Sequence, residues 1–406
     1  MSFRWVSVTG WVVWSVTVAC LLIGLSLAWR EVVMLGVALA LVSLVGLTVL
    51  GKRTLLAVAF DADVYRVLPG SSADVRLRLV SPESRATPAT DLDIPVGART
   101  VTERVPRVRV GTVHETVLRV DAPRRTVIPV GPISVVRRDS FGLYRRSVVL
   151  PGSAKVVVHP ATATLPPLSA GFVRDLEGEA SRDLTDSDLS FHALREYVPG
   201  DDRRHIHWKS SAKTGRFMIR QYEQTRRSRM LIVLDTRREA YADDAEFELA
   251  VSTSASLGVR ALRDSRDVMF VVSRSSVLST PVRSSRAALQ SVETISVLTS
   301  VSPARLLDEV AGIVLSGGSL PLGGLTPLAA NVAADVSVVF AVTGSVPGVS
   351  EIEQASLPFG AGVEVVALRC AVESSPRLRT SGRLTLGTIG RLDDLTKLLS
   401  RNRATA

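Results

Sequence analysis

The sequence predicts a mixed architecture: an N-terminal transmembrane helical hairpin, then an antiparallel β-sandwich, then an α/β domain built on a parallel sheet. Three observations carry that prediction. Two long runs, residues 5–29 and 32–51, hold no charged side chain. Residues 54–160 show apolar and charged side chains in alternation and no stretch of helical period. From residue 229 onward, short β-branched runs alternate with amphipathic stretches of helical period, the pattern of parallel strands joined by crossover helices.

Each uncharged run is long enough to cross a hydrocarbon core of about 30 Å at about 1.5 Å per residue. Only Arg30-Glu31 stands between them, which leaves room for a tight turn. Four of the five tryptophans, Trp5, Trp11, Trp14 and Trp29, fall at the ends of this hairpin, where aromatic belts form. A cleaved signal peptide fits less well, because the first run exceeds the usual apolar region of about 7–15 residues and a second span follows. Arg4 precedes the hairpin and Lys52-Arg53 follows it, while the turn is neutral. The positive-inside rule therefore expects a two-pass protein of the cell membrane with both termini cytoplasmic.

Residues 54–160 are read as a β-sandwich of immunoglobulin-like character. Val75, Leu77 and Leu79 alternate with Arg76 and Arg78, and Val113 and Val117 are read as alternating with their polar neighbours Glu115 and Arg119. Pro69-Gly70, Pro82, Pro95-Val96-Gly97 and Gly131-Pro132 mark turns. Residues 161–194 read as a linker rich in acids: Asp175, Glu177, Glu179, Asp183, Asp186 and Asp188. It is either a solvated loop or a mask over the basic segment that follows.

That segment, 195–228, concentrates the charge. Residues 195–229 hold ten Lys/Arg against four Asp/Glu, so they contribute +6 of a net +10, and such a patch favours an anionic partner. Pro199-Gly200-Asp201 is a turn signal, after which Lys209, Lys213, Arg216 and Arg220 interleave with Ile206, Trp208, Phe217 and Ile219. The continuous apolar run 230–234 reads as a strand buried on both faces and ending in Asp235. Beyond it, 243–264, 287–298, 304–314 and 389–399 read as helices, and 268–272, 336–342 and 363–368 as strands. The α/β domain is placed at 229–400, with a disordered tail at 401–406.

Arg195, Tyr197, Pro199, Gly200, Asp201, Arg204, Ile206, His207, Trp208, Ser211, Ala212 and Lys213 resemble a known signature. It is that of the family catalogued as domain of unknown function 58: Arg-x-Tyr-x-Pro-Gly-Asp-x-x-Arg-x-Ile-(Asp or His)-Trp-x-x-Ser-Ala-(Lys or Arg), then a strand ending in Asp. The resemblance extends upstream through Arg124-Arg125, Gly131-Pro132, Asp139-Ser140-Phe141-Gly142-Leu143 and Val158-His159-Pro160, with Ser140 where proline is usual. It implies a von Willebrand factor A-like fold for the C-terminal domain and a membrane-anchored, non-enzymatic adaptor role. It also implies a MoxR-type AAA+ ATPase as partner, with a transglutaminase-like protein as a further associate. Arg195, Tyr197, Asp201, Arg204, His207, Trp208 and Lys213 are then the expected interaction surface. The alternative for these residues is a structural clamp in which Asp201 pairs with Arg204 or Arg195 and Trp208 fills a crevice.

Von Willebrand A-like domains hold Mg²⁺ on Asp-x-Ser-x-Ser, aided by a Thr and an Asp from neighbouring loops. Here the strand ends Asp235-Thr236-Arg237-Arg238-Glu239, and no aspartate follows Thr343-Gly344. Asp235 is thus read as a degenerate metal position, with no metal or other cofactor expected. A rival reading is a metal-assisted hydrolase using Asp201, His205, His207 and Asp235; a third is an outward-facing adhesion module. There is no phosphate-binding Gly-x-x-x-x-Gly-Lys-Ser/Thr and no Gly-x-Ser-x-Gly nucleophile elbow. The alternation of aromatics with charge argues for packing against the α/β domain and against a nucleic-acid stacking platform. Cys20 and Cys370 are expected to remain unpaired.

Overall fold

The structure is a computed structural model that describes residues 6–51, 56–81, 87–139, 141–167, 190–198, 206–223, 229–277, 294–298, 300–333, 336–360 and 362–405. Two compact units are present, Met1–His159 and Pro160–Ala406.

The first unit opens with α1 (Val8–Ser26) and α2 (Arg30–Gly51), both long and apolar enough to cross a membrane. Ser7 caps α1, its Oγ accepting from the Gly10 amide at 3.0 Å. The helices approach through small residues, for a Cβ on Gly36 would press on Leu21 and one on Gly24 on Val33.

Ten strands follow: β1 (Ala57–Phe60), β2 (Val64–Val67), β3 (Ser71–Val80), β4 (Thr90–Val96), β5 (Arg99–Val105), β6 (Val113–Ala122), β7 (Thr126–Val130), β8 (Ser134–Arg138), β9 (Arg145–Val149) and β10 (Ala154–Val158). They form a three-stranded sheet, β1-β3-β6, and a seven-stranded sheet, β2-β10-β7-β4-β8-β9 with β5 on β4. Leu77, Leu79 and Val120 of the first share one apolar core with Leu92, Ile94 and Val156 of the second. All pairings are antiparallel except β2–β10, which is parallel, so the antiparallel expectation fails at that one pair. In β3 the expected alternation holds, with Val75, Leu77 and Leu79 buried. In β6 the expected alternation is wrong. Val113, Glu115, Val117 and Arg119 lie on one exposed face, while Leu118, Val120 and Ala122 point inward. Residues two apart share a face, so valines at odd positions cannot be separated from charges at odd positions.

In the second unit, part of the expected linker packs tightly. The Ala163 amide donates to Ser256 Oγ at 3.0 Å, Arg260 Nη1 donates to the Leu165 carbonyl at 3.1 Å, and Leu165 is buried. The acids at 175–188 lie outside the described residues. A two-stranded ribbon, β11 (Ser190–Glu196) and β12 (Met218–Glu223), carries α3 (Trp208–Thr214) between its strands in sequence.

The main sheet then begins at β13 (Arg229–Leu234). It continues with α4 (Asp244–Arg263), β14 (Asp267–Ser273), β15 (Ile295–Leu298), α5 (Pro303–Ala311), α6 (Leu322–Val332), β16 (Val336–Thr343) and α7 (Val349–Ser356). β17 (Glu364–Cys370), β18 (Arg377–Ser381), β19 (Leu384–Ile389) and α8 (Leu392–Thr405) close the chain. The order is β15-β14-β13-β16-β17-β19-β18: five parallel strands flanked by an antiparallel strand at each edge. β13 is buried on both faces. Met230, Ile232 and Leu234 meet the layer holding Phe247, Leu306 and Leu395; Leu231 and Val233 meet that holding Leu322 and Ile352. The expected helix at 287–298 is corrected: residues 295–298 are strand β15, and 287–293 lie outside the described residues. α8 runs to Thr405, five residues past the end expected for the domain.

Candidate functional site

Two surfaces of the second unit hold the residues singled out from sequence. The first is the ribbon with α3. Its frame is the backbone: the Tyr197 amide donates to the Phe217 carbonyl and the His207 amide to the Met218 carbonyl, each at 2.8 Å. Gly215 ends α3 at φ 73°, a left-handed conformation that suits glycine. His207 is the N-cap of α3. Its Nδ1 accepts from the Ser210 amide at 3.2 Å and lies 2.8 Å from Ser210 Oγ. The Asp-or-His alternation of the resembling signature at this position has a physical reason, since either side chain can accept from a helix N-terminal amide. Ser211 completes the joint, donating from Oγ to the His207 carbonyl at 3.1 Å and accepting from the Met218 amide at 2.8 Å.

Above this frame sits an aromatic group. Trp208 and Phe217 meet edge to face with ring centroids 6.1 Å apart, and Tyr197 meets Phe217 at 6.3 Å. Trp208 is 64% exposed and Phe217 56% exposed, so the expected packing of these rings in a crevice or against the α/β domain is wrong. Phe217 thus stands between Trp208 and Tyr197 on the ribbon. Lys209 and Lys213 are exposed on α3 and, among the described residues, have no ion-pair partner. Arg216 pairs with Glu196 at 3.2 Å in full solvent. Arg195 reaches the Glu196 carbonyl from Nη1 at 3.2 Å. Asp201, Arg204 and His205 lie outside the described residues.

The second surface is the carboxyl edge of the parallel strands. Asp235, directly after β13, has no exposed area. Its Oδ1 accepts from the Arg237 amide at 3.0 Å, and its Oδ2 from Arg237 Nη2 and from Thr343 Oγ1, each at 3.2 Å. Arg237 Nη2 also donates to Glu351 Oε1 on α7 at 2.8 Å. Burial raises the Asp235 carboxyl, and the Arg237 hydrogen bonds only partly offset it. Burial alone would lower the Arg237 guanidinium, but Asp235 and then Glu351 raise it overall. Beside this pair, the Tyr241 hydroxyl donates to the Asp235 carbonyl, and Gly344 is required because a Cβ would strike the Ala240 carbonyl and the Tyr241 ring.

These residues do not fit Mg²⁺. The cation facing Asp235 and Glu351 is the Arg237 guanidinium, and the following hydroxyls are committed to each other. Thr236 Oγ1 donates to Ser319 Oγ at 3.1 Å, and Ser319 Oγ lies 3.2 Å from Ser275 Oγ. Among the described residues no three of His, Cys, Asp and Glu gather as metal ligands. Glu246, which the sequence reading did not single out, ties this edge together. Its Oε2 accepts from the Ala242 amide at 2.9 Å and from Ser345 Oγ at 2.9 Å, and Asp243 Oδ1 accepts from its amide at 2.8 Å. Asp243 is the N-cap of α4, and Glu246 three residues on reaches back to the Ala242 amide, one residue before the cap. Burial pushes the Cys370 thiol up, out of the reactive range. Two clefts, of about 270 and 290 Å³, are lined by none of the residues of either surface, and both fall below the usual ligand-pocket size.

Comparison with known proteins adds a family and no activity. No protein of curated function matches the chain. Among solved structures, the CARDB domain of a Pyrococcus furiosus protein in complex with di-metal ions is 13% identical over 26% of this chain and 96% of that one, with a TM-score of 0.20. WR4, a C. elegans MSP family member, is 8% identical over 26% and 99%, TM-score 0.18. The Pseudomonas fluorescens alkylpurine DNA glycosylase AlkC bound to DNA containing an abasic site analog is 12% identical over 32% and 39%, TM-score 0.18. Residues 193–311, which take in the exposed aromatic surface and Asp235 alike, match the model of the family described as Protein of unknown function DUF58, and over that stretch the chain is a member of this family.

Proposed function

We propose that this is a membrane-anchored, non-enzymatic adaptor that uses the ribbon surface to grip an acidic partner protein, a MoxR-type AAA+ ATPase, in complex assembly or envelope maintenance. The observation that carries the reading is the exposure of Trp208 and Phe217 beside Lys209 and Lys213. Two large rings left in solvent, with two exposed lysines on the same short helix as Trp208, have the composition of an interface hot spot. The two-helix hairpin supports anchoring, and Arg4 with Lys52-Arg53 supports cytoplasmic termini. Two sheets around one core support an immunoglobulin-like sandwich, and a central β13 with helices on both faces supports a von Willebrand A-like domain.

The test is direct binding between the detergent-solubilised full chain and the purified ATPase. Trp208→Ala is expected to weaken binding by about 2 kcal/mol, roughly 30-fold. Wild-type protein that does not bind removes this partner; unchanged binding by Trp208→Ala removes this surface.

A further inference from the structure

We infer that Asp139 and residues 141–144, between β8 and β9, form a third membrane-contacting element and that Phe141 inserts at the lipid headgroup boundary. The inference rests on the hairpin crossing the bilayer and goes beyond the adaptor reading, which assigns this loop nothing.

The loop grips both arms of the hairpin. The Ser7 amide donates to the Leu143 carbonyl at 2.9 Å, and Ser7 Oγ donates to the Gly142 carbonyl at 2.6 Å. Gly10 is needed beneath it, since a Cβ there would collide with the Leu143 carbonyl oxygen. Trp14 Nε1 donates to Tyr144 Oη at 2.9 Å, and the Tyr144 ring lies where a Cβ on Gly46 would be. Leu143 and Tyr144 are buried and pack with Val13 and Val42. Asp139 holds the loop closed, its carboxylate accepting from the Tyr144 amide at 2.7 Å and the Phe141 amide at 3.1 Å. Phe141 is 56% exposed.

Length decides what this contact means. Beyond the loop, the free part of the first arm runs from Trp14 to Ala28, about 22 Å at about 1.5 Å per residue, and that of the second from Arg30 to Leu41, about 18 Å. Neither crosses about 30 Å of hydrocarbon. Adding residues 8–13 lengthens the first arm by about 9 Å and closes the gap. The part of the hairpin beside the loop must therefore lie in the membrane, which puts Leu143 and Tyr144 in its outer layer. An indole N–H bonded to a phenol suits that layer, where amphipathic rings collect. Phe141 is then level with the headgroups, and its exposed ring has lipid as its solvent.

The test uses the full chain in phosphatidylcholine/phosphatidylglycerol vesicles, with Cys20→Ser so that only added thiols are labelled, Cys370 being buried. Nitroxides are placed singly at Phe141→Cys, at Val18→Cys in mid-span, and at Leu68→Cys, an exposed site at the far end of β3 from the β1 pairing with Val80. Collision with oxygen and with a water-soluble nickel complex is read by power saturation. The expected result is loss of nickel access at 18 and at 141, with nickel access kept at 68. Nickel access at 141 equal to that at 68, with 18 protected, overturns the inference and leaves the hairpin in the bilayer. Nickel access at 18 as well overturns the hairpin reading itself.

Discussion

At the carboxyl edge of the sheet, Arg237 is closed between Asp235 and Glu351, and each nearby hydroxyl has a partner. On the ribbon, Lys209 and Lys213 stand exposed on α3, and the Trp208 and Phe217 rings meet edge to face while more than half of each stays in solvent. The family match takes in the ribbon surface from residue 193 onward together with Asp235 and Arg237, while Thr343 and Glu351 of the carboxyl edge lie beyond it. The difference teaches that a charged carboxyl edge, the usual place for ligands in α/β sheets, is here occupied from within. The proposed binding surface is therefore the ribbon, where charge and apolar area stay exposed.

The largest expected effect breaks the closed side. Arg237→Ala leaves the buried Asp235 carboxylate without its cation and should cost about 3–5 kcal/mol of stability, read by thermal unfolding of the full chain in detergent. Asp235 already has a folded-state pKa raised by burial, so in the variant the protonated form is favoured in the fold. Its stability is therefore best retained below the unfolded value near 3.8 and is lost as pH rises through the raised pKa, so the deficit against wild type narrows on acidification. Gly344→Ala comes next, at about 1–3 kcal/mol, because the backbone at Ala240 cannot move away cheaply. His207→Ala removes the α3 cap and should cost about 1 kcal/mol of local stability, seen as faster amide exchange in α3, whereas His207→Asp should restore protection. If His207→Asp fails to restore it, the histidine does more than cap.

Much of this was legible beforehand, and the failures have physical causes. β13 announced itself because five apolar residues between charged ends leave no exposed face. The apolar period of 243–264 marked α4, whose first turn Asp243 caps by accepting from the Glu246 amide. α6 was missed because Gly323, Gly324 and Pro327 depress its helix propensity, which packing of Leu322 and Leu325 overrides. β15 reads as helix in the sequence because its four residues carry too little period to outweigh the helix-favouring Ala287-Ala288-Leu289-Gln290 before them. The place of Asp235 at a strand end is local, but its partner Arg237 also reaches Glu351, 114 residues further on, and no local pattern encodes such a contact. Trp208 was misplaced because a large ring is ordinarily buried. Its exposure follows from the two-stranded ribbon beneath it, a tertiary fact.

The most direct test of the account pairs one change on each surface and reads both binding and stability on the same full chain. Trp208→Ala should lose partner binding by roughly 30-fold while its melting temperature stays near wild type, because an exposed ring contributes within about 0.5 kcal/mol to folding. Arg237→Ala should lower the melting temperature, while the remaining folded fraction binds the partner as wild type does. Unaltered binding by Trp208→Ala, together with binding abolished in folded Arg237→Ala, would contradict the account and return the carboxyl edge to the centre of function.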